Sequence, residues 1–490
     1  MDAVQRGLQV LAKLAIQGGD GRIHYAAALL FSLLGSLLTL TQPFPISSDG
    51  GFYLSLADIY QSKGLSALFD YYDMPWYPAL VGFVHRLLPL STFYTAFLLN
   101  TLLTSAACVL FVAIVRQQSA RASVAWFAVA FICLFPAVNE LKGQIYREFG
   151  LWAFTLGALF CLIRYERAPR LGLLCGWFVL QLLAGFFKEE GFALLLAGLP
   201  VLLQPHTRSV RSWLYILPLV GLLGITLWFM KYLSLGHAVS APQADYIARL
   251  SAMFVHVQQD IDHFGDAFLN RYSAKHAGVL YLCMLLILLA LSIMKAMKLA
   301  VVLLGMYFWR ANRSEATGSV ALVSYIAFAA LVLWVYLLEN HFLAARYTVL
   351  LILLVMLWVI PRIAPRFEWQ GRGNKVWLIA VLGLFFLDSF VSIGPSDSHL
   401  AAAKSWLAQH AGQNDKVISS HRGYSYALGR LDKPADGLHD TPDAAILQRY
   451  NYYIVLNKPK QPTLKVPDNA MEVAHFENEK HYSAVIYRLK

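Results

Sequence analysis

Charge is what this sequence has least of. Asp, Glu, Lys and Arg make up 14% of its 490 residues while 58% are hydrophobic, and the mean hydropathy is +0.53. That balance excludes a soluble globular chain of this length. Cysteine is scarce too. All five, Cys108, Cys133, Cys161, Cys175 and Cys283, fall in apolar runs, where they are expected to pack as small side chains rather than form disulfides or ligate metal. The polar tail has none, and the one Asn-x-Ser/Thr acceptor, Asn312-Arg313-Ser314, falls on the expected inner side. Both absences favour a bacterial envelope over a secretory pathway. There is no internal repeat or low-complexity tract. No cleavable leader is needed, because the first apolar run can act as the insertion signal.

What is present is a series of apolar runs near the roughly 20 residues needed to cross a bilayer. They lie at about 24–43, 92–115, 122–138, 149–165, 171–187, 191–204, 213–232, 276–294, 317–338, 347–361 and 376–394. The expected fold is a polytopic α-helical membrane protein of about eleven transmembrane helices. Residues 296–309, between Lys295 and Lys298 on one side and Arg310 and Arg313 on the other, suit an interfacial helix.

Lys and Arg favour cytoplasmic loops. With the N-terminus inside on Arg6, Lys13 and Arg22, alternate loops collect Arg116 and Arg121; Arg164, Arg167 and Arg170; Arg208 and Arg211; Lys295, Lys298, Arg310 and Arg313; and Arg362, Arg366, Arg372 and Lys375. Only Asp2, Asp20, Glu166, Glu315 and Glu368 oppose them, whereas the other loops carry about ten basic and thirteen acidic residues. The parity places everything after 394 outside. The formal charge of +11 is then an inner-leaflet signature and not a nucleic-acid surface.

Two domains are expected, 1–394 in the membrane and 395–490 outside it. The second, about 95 residues, is long enough for a modest α/β core. Ser398–His410 reads as an amphipathic helix, and Lys416–Ser419, Tyr452–Leu456 and Tyr482–Leu489 as strands. It shows no catalytic motif, which suggests a structural or acceptor-facing role. The first outer loop, about 44–90, is patterned as two short surface helices, Gly51–Ser62 and Leu65–Tyr71, ended by Asp73-Met74-Pro75-Trp76-Tyr77-Pro78.

Within that loop Asp49, in Ser47-Ser48-Asp49-Gly50-Gly51-Phe52-Tyr53, is either a cap for the following helix or a functional carboxylate. Its company favours function. Asn139-Glu140-Leu141-Lys142, Arg147-Glu148, Lys188-Glu189-Glu190-Gly191, and Glu339-Asn340-His341 with Arg346-Tyr347 all fall at outer mouths of spans. Charges at such depths are costly and tend to be paired or functional. Together they suit a substrate that carries phosphate and needs base catalysis.

At these residues the chain resembles the GT-C superfamily of membrane glycosyltransferases, especially the branch of protein mannosyltransferases and the aminoarabinose transferase of lipid A. Asp49 after the first span, with Tyr53, Ala57, Gly64 and Pro75-Trp76-Tyr77-Pro78, looks like that superfamily's first loop. Arg147-Glu148 is similar to its second acidic motif, Lys188-Glu189-Glu190-Gly191 to its Lys/Arg-x-x-Gly turn, and Arg346-Tyr347 to the start of a late span. The likeness covers roughly 24–395. The paired Asp-Glu of many relatives is absent, since Gly50 follows Asp49, so a divalent cation stays an open requirement and no metal ligand is assigned.

The resemblance implies transfer of a sugar, with inversion, from a polyprenyl-phosphate donor to a lipid, protein or glycan acceptor at the outer face of a bacterial inner membrane. Asp49 would be the general base and Glu148 a second catalytic carboxylate. Lys188, Arg346 and Arg147 would hold the donor phosphate, and Tyr53, Trp76, Glu189 and His341 would contact substrate. The partners are then membrane lipids, donor and acceptor, and no nucleic acid. Two alternatives remain. A lipid-linked glycan polymerase or ligase would favour a large late outer loop, and a transporter or flippase would place charges near the midplane. The loop at 233–275, with Asp260, Asp262, His263 and Asp266, reads as a solvated cover more than as a loose metal site.

Overall fold

Wherever the computed structural model describes an apolar run, the run is helical. It describes residues 21–40, 46–204, 224, 246–298, 300–310, 318–367, 380, 382–389, 397–459, 466–467 and 470–489. The candidate span at 213–232, much of that at 376–394, and the inner-loop residues Arg6, Lys13, Arg208, Arg211, Arg313, Glu315, Glu368, Arg372 and Lys375 lie outside the described residues.

Among the described residues the helices are α1 (Arg22–Thr39), α2 (Ser48–Lys63), α3 (Trp76–Leu87), α4 (Thr92–Gln118), α5 (Ala122–Leu134), α6 (Glu148–Arg167), α7 (Leu171–Phe187), the broken α8 (Glu190–Leu202), α9 (Tyr246–Phe268), α10 (Ala277–Met297), α11 (Ala300–Arg310), α12 (Val320–Asn340) and α13 (Ala345–Ile363). Six segments, α1, α4, α6, Ala274–Met297, α12 and α13, are long and apolar enough to cross a membrane; α5, α7 and α8 are apolar but shorter. The chain is thus a helical protein of membrane character carrying a small sheet near its C-terminus.

Two compact units divide it: Met1–Leu33, Leu103–Glu140 and Glu148–Phe390 form the first, and Leu34–Leu102, Leu141–Arg147 and Val391–Lys490 the second. In the first, α6 and α7 lie so close that a Cβ on Gly150 would come within 2.0 Å of the Phe187 ring. A buried polar relay ties three helices together. Trp177 Nε1–H donates to Tyr325 Oη at 2.9 Å, Tyr325 O–H donates to Gln181 Oε1 at 2.9 Å, and Gln181 Nε2–H donates to the Gly191 carbonyl at 2.7 Å. Such groups are tolerated in an apolar interior because each is satisfied. At the far end of α6, Glu166 accepts from Ser319 Oγ–H at 2.7 Å and Val320 N–H at 2.8 Å, satisfying the free amides that open α12.

One expectation fails in this unit. Lys298, counted with the inner loops, pairs with Glu140, counted outside, and, at 3.5 Å, with Asp388, which falls within the last apolar run. The preceding helix agrees: Tyr281 O–H meets His341 Nε2 at 2.7 Å and Ser292 Oγ–H reaches the Leu343 carbonyl at 3.4 Å. Tyr281 and Ser292 are about 16 Å apart along a helix, yet both touch the same turn after α12. The segment at 233–275 is also more regular than a loop, since α9 fills its second half.

The second unit joins the first loop to the tail. Helix α2 starts at Ser48 with Ser47 as N-cap, its hydroxyl accepting from Gly50 N–H at 3.1 Å. Where sequence breaks were expected at Pro75 and Pro78, a further helix, α3, begins: both prolines fall in its opening, where no amide is needed for the helical ladder. The tail holds α14 (Ser398–His410), β1 (Val417–Ser419), α15 (Arg422–Leu428), β2 (Tyr452–Asn457), β3 (Ala470–Glu477) and β4 (Ser483–Leu489). The sheet order is β1-β2-β4-β3, with β1 parallel to β2 and the other pairs antiparallel. Its core packs Ala403 and Leu407 of α14 against Val417, Ile454 and Ile486.

Helix α2 buries Leu54, Leu56, Ala57 and Ile59. It is covered by α3, by α15 and by the turn Pro434–Leu438. The approach is backbone to backbone: a Cβ on Gly51 would stand 2.5 Å from the Arg422 carbonyl carbon, and one on Gly423 2.3 Å from the Ile46 oxygen. Only glycine permits contact this close. Half-buried Asp58 adds a polar joint. Thr92 Oγ1–H donates to its Oδ1 at 2.7 Å and Tyr426 bonds to it, while burial pushes its carboxyl above the usual aspartate range.

Candidate functional site

In the first unit the sequence motifs converge on Tyr347. Lys188 ends α7 in extended backbone, and Gly191 then turns the chain into α8 so tightly that a Cβ there would lie 2.4 Å from the Gly185 nitrogen. This turn buries Lys188, which is 3% exposed. Its ammonium forms an ion pair with Glu190 at 2.7 Å and stands 3.7 Å from the centroid of the Tyr347 ring, with Tyr336 behind at 6.0 Å.

Arg346, in the first turn of α13, reaches the same ring. Its Nε is 3.4 Å from Glu148 Oε1, its Nη2–H donates to Tyr347 Oη at 3.2 Å, and its guanidinium lies 5.1 Å from the same ring. Glu148 opens α6 and is 3% exposed; a carboxylate in a first turn is stabilised by the helix dipole. Two cations, two carboxylates and two tyrosines therefore share one cluster, with Lys188 and Glu148 buried and the others half-buried. Paired charges make such burial tolerable, and a cation held by an aromatic face can exchange part of its contact for an incoming anion.

Of the residues singled out from sequence, the structure thus brings Glu148, Lys188 and Arg346 together. Glu189 is exposed, and Glu190 is the residue paired with Lys188. His341 belongs to another group: it ends α12 in left-handed backbone at φ 52 and meets Tyr281 and, at 3.1 Å, Asp260. No cluster of His, Cys, Asp or Glu among the described residues has metal-ligand geometry.

The second unit holds the others. Asp49 is not the cap of α2, which is Ser47; it stands in the first turn, 31% of its side chain exposed and 3.8 Å from Arg422 Nη2. Tyr53 packs edge-on against Tyr77 at 5.4 Å in an aromatic core with Phe52 and Tyr72. Trp76 meets Phe69 edge-on at 5.8 Å. Arg147 donates to the Tyr72 hydroxyl and lies 5.7 Å from that ring. Sequence patterning missed Tyr347 as the meeting point, and it missed Arg422 and Asp440, which belong to no motif and reach Asp49 only through the tertiary fold. The one available signal was Gly423 beside Arg422, a small residue permitting close approach.

Neither a family profile nor a curated protein matches the chain.

Proposed function

We propose that this chain is a membrane glycosyltransferase of GT-C type. It moves a sugar from a polyprenyl-phosphate donor to a lipid, protein or glycan acceptor at the outer face of a bacterial inner membrane. The observation that carries the reading is the meeting of buried Lys188 and half-buried Arg346 at Tyr347, with Glu148 and Glu190 as their resting partners.

In the reaction the acceptor hydroxyl or amine attacks the anomeric carbon, its proton passes to Asp49, and the bond from carbon to the lipid phosphate breaks with inversion. Charge then grows on the departing phosphate oxygen. Lys188 and Arg346 neutralise it, Arg346 through a fork suited to phosphate. Arg147 is a further candidate for the phosphate, and Glu148 orients Arg346. The N-terminus is cytoplasmic, supported by Arg116, Arg121, Arg164, Arg167 and Arg170 on the early inner ends. The tail is extracytoplasmic, supported by its packing on α2 of the first outer loop.

The test is transfer by purified protein in detergent from radiolabelled polyprenyl-phosphate sugars to envelope extract. Wild type should transfer at least one sugar. Lys188→Ala should lower kcat by about 100-fold or more, as for loss of one preorganised anion-stabilising group, and Asp49→Asn should abolish turnover. Retained turnover in Asp49→Asn with loss in Lys188→Ala would sink the base assignment alone. No transfer from any donor, with solute or lipid movement in liposomes, would favour a transporter.

A further inference from the structure

We infer that Arg422, delivered by the tail, is the positioning residue for the turn that carries Asp49. The inference rests on the proposed role of Asp49 only for its catalytic consequence. Arg422 Nε–H donates to Ser48 Oγ at 2.9 Å, and Ser48 Oγ–H donates to Asp440 Oδ1 at 2.7 Å. Asp440 Oδ2 closes the ring on Arg422 Nη2 at 2.9 Å, and its Oδ1 also accepts from the Arg422 backbone N–H at 3.2 Å. The same Nη2 faces Asp49 Oδ1 at 3.8 Å, and the guanidinium lies 5.2 Å from the Phe52 ring.

The contacts with Ser48, Asp49 and Phe52 all meet the segment 48–52, while Asp440 braces the fork from within the tail. A planar fork can serve Ser48, Asp440 and Asp49 at once; an ammonium on a flexible stem cannot hold that set of directions. The glycine contact of Gly51 with the Arg422 backbone fixes the distance over which the fork must reach. A carboxylate that takes a proton in a transition state loses rate steeply when its placement is loose. Arg422 thus couples a docked tail to the geometry of a turn in the first loop, a catalytic use for a domain that has no motif of its own.

The experiment uses the full-length protein in detergent as wild type, Arg422→Lys, Arg422→Ala and Asp440→Asn. Hydrogen exchange is followed in 48–56, with strand 452–457 as internal reference. Arg422→Ala should speed exchange in 48–56 by about tenfold or more, as expected for losing charge-assisted hydrogen bonds, while 452–457 stays protected. Transfer assays on the same samples should show kcat lowered with donor KM held. Arg422→Lys should keep the tail protected yet recover little kcat. Unchanged exchange in 48–56 overturns the inference whether or not transfer is detected. Should Arg422→Ala also expose 452–457, Arg422→Lys decides, loss confined to 48–56 upholding the inference and no loss overturning it. Altered exchange in a protein whose wild type transfers nothing would instead overturn the glycosyltransferase reading and leave Arg422 its hold on the turn.

Discussion

Tyr347 holds two cations with one ring, and this makes it the most informative single side chain for donor binding. Lys188 lies 3.7 Å from its centroid, a desolvated cation–aromatic contact worth about 2 kcal/mol, which corresponds to roughly 30-fold in affinity. Tyr347→Leu should therefore raise the donor KM about tenfold or more, while Tyr347→Phe, which keeps the ring and loses only the acceptor for Arg346, should stay within a few-fold. Equal KM values for the two variants would remove the ring from the account. At this scale the sequence was partly legible. Glu148, Lys188 and Arg346 stood out because charge at the mouth of an apolar run is conspicuous. The partner of Lys188 was not legible, because the turn before α8 decides that Glu190 and not Glu189 meets it, and no pattern encodes that turn.

Among the elements, α15 joins the tail to the first loop, and its start is sensitive to protonation. His421 Nδ1 accepts from Tyr424 N–H at 3.2 Å, so the cap needs a neutral imidazole. Burial pushes His421 below its ordinary value of 6.5, with Lys458 and Arg422 adding to the fall and Asp440 and Asp49 opposing it. The unfolded tail consequently gains a proton, as pH falls through 6.5, that the folded tail refuses. Stability from this group is full above that value and lost below it. The melting temperature of the tail should fall between about pH 8 and about pH 5.5, and His421→Asn, which keeps a capping acceptor, should flatten the fall. An identical fall in the variant would assign the dependence elsewhere. Element existence was readable from period and length for α14, β1, β2 and β4. The edge strand β3 was not, because its residues are mostly half-buried or exposed and it pairs on one side only, with a bulge near Glu472. Helix α3 was hidden by Pro75 and Pro78, which signal a break in mid-helix but are harmless at a helix start.

For the whole molecule, charge counting sets Lys298 on the inner side, and its pairing with Glu140 does not fit that count. The count treats each long apolar run as a crossing, whereas α10 meets the turn after α12 at His341 and Leu343, and Lys298 just past its end meets Glu140. Cysteines introduced at Glu140 and Lys298 should thus be labelled from the same side by an impermeant maleimide, and one at Arg121 from the opposite side. Labelling of position 298 together with 121 would restore the eleven-crossing parity.

The glycine-to-glycine seating of α15 on α2 also has a consequence for synthesis. Ser48 leaves the ribosome 374 residues before the arginine that bonds it, an interval of roughly 20 to 75 s at ordinary elongation rates. For that time α2 and its neighbour α3 have been made, and the part of the cover that the tail supplies, α15 and the turn Pro434–Leu438, has not. A nascent chain stalled in the interval presents the surface that the tail will cover to proteases and holdases, and conditions that slow elongation lengthen its exposure without altering a single contact of the finished protein.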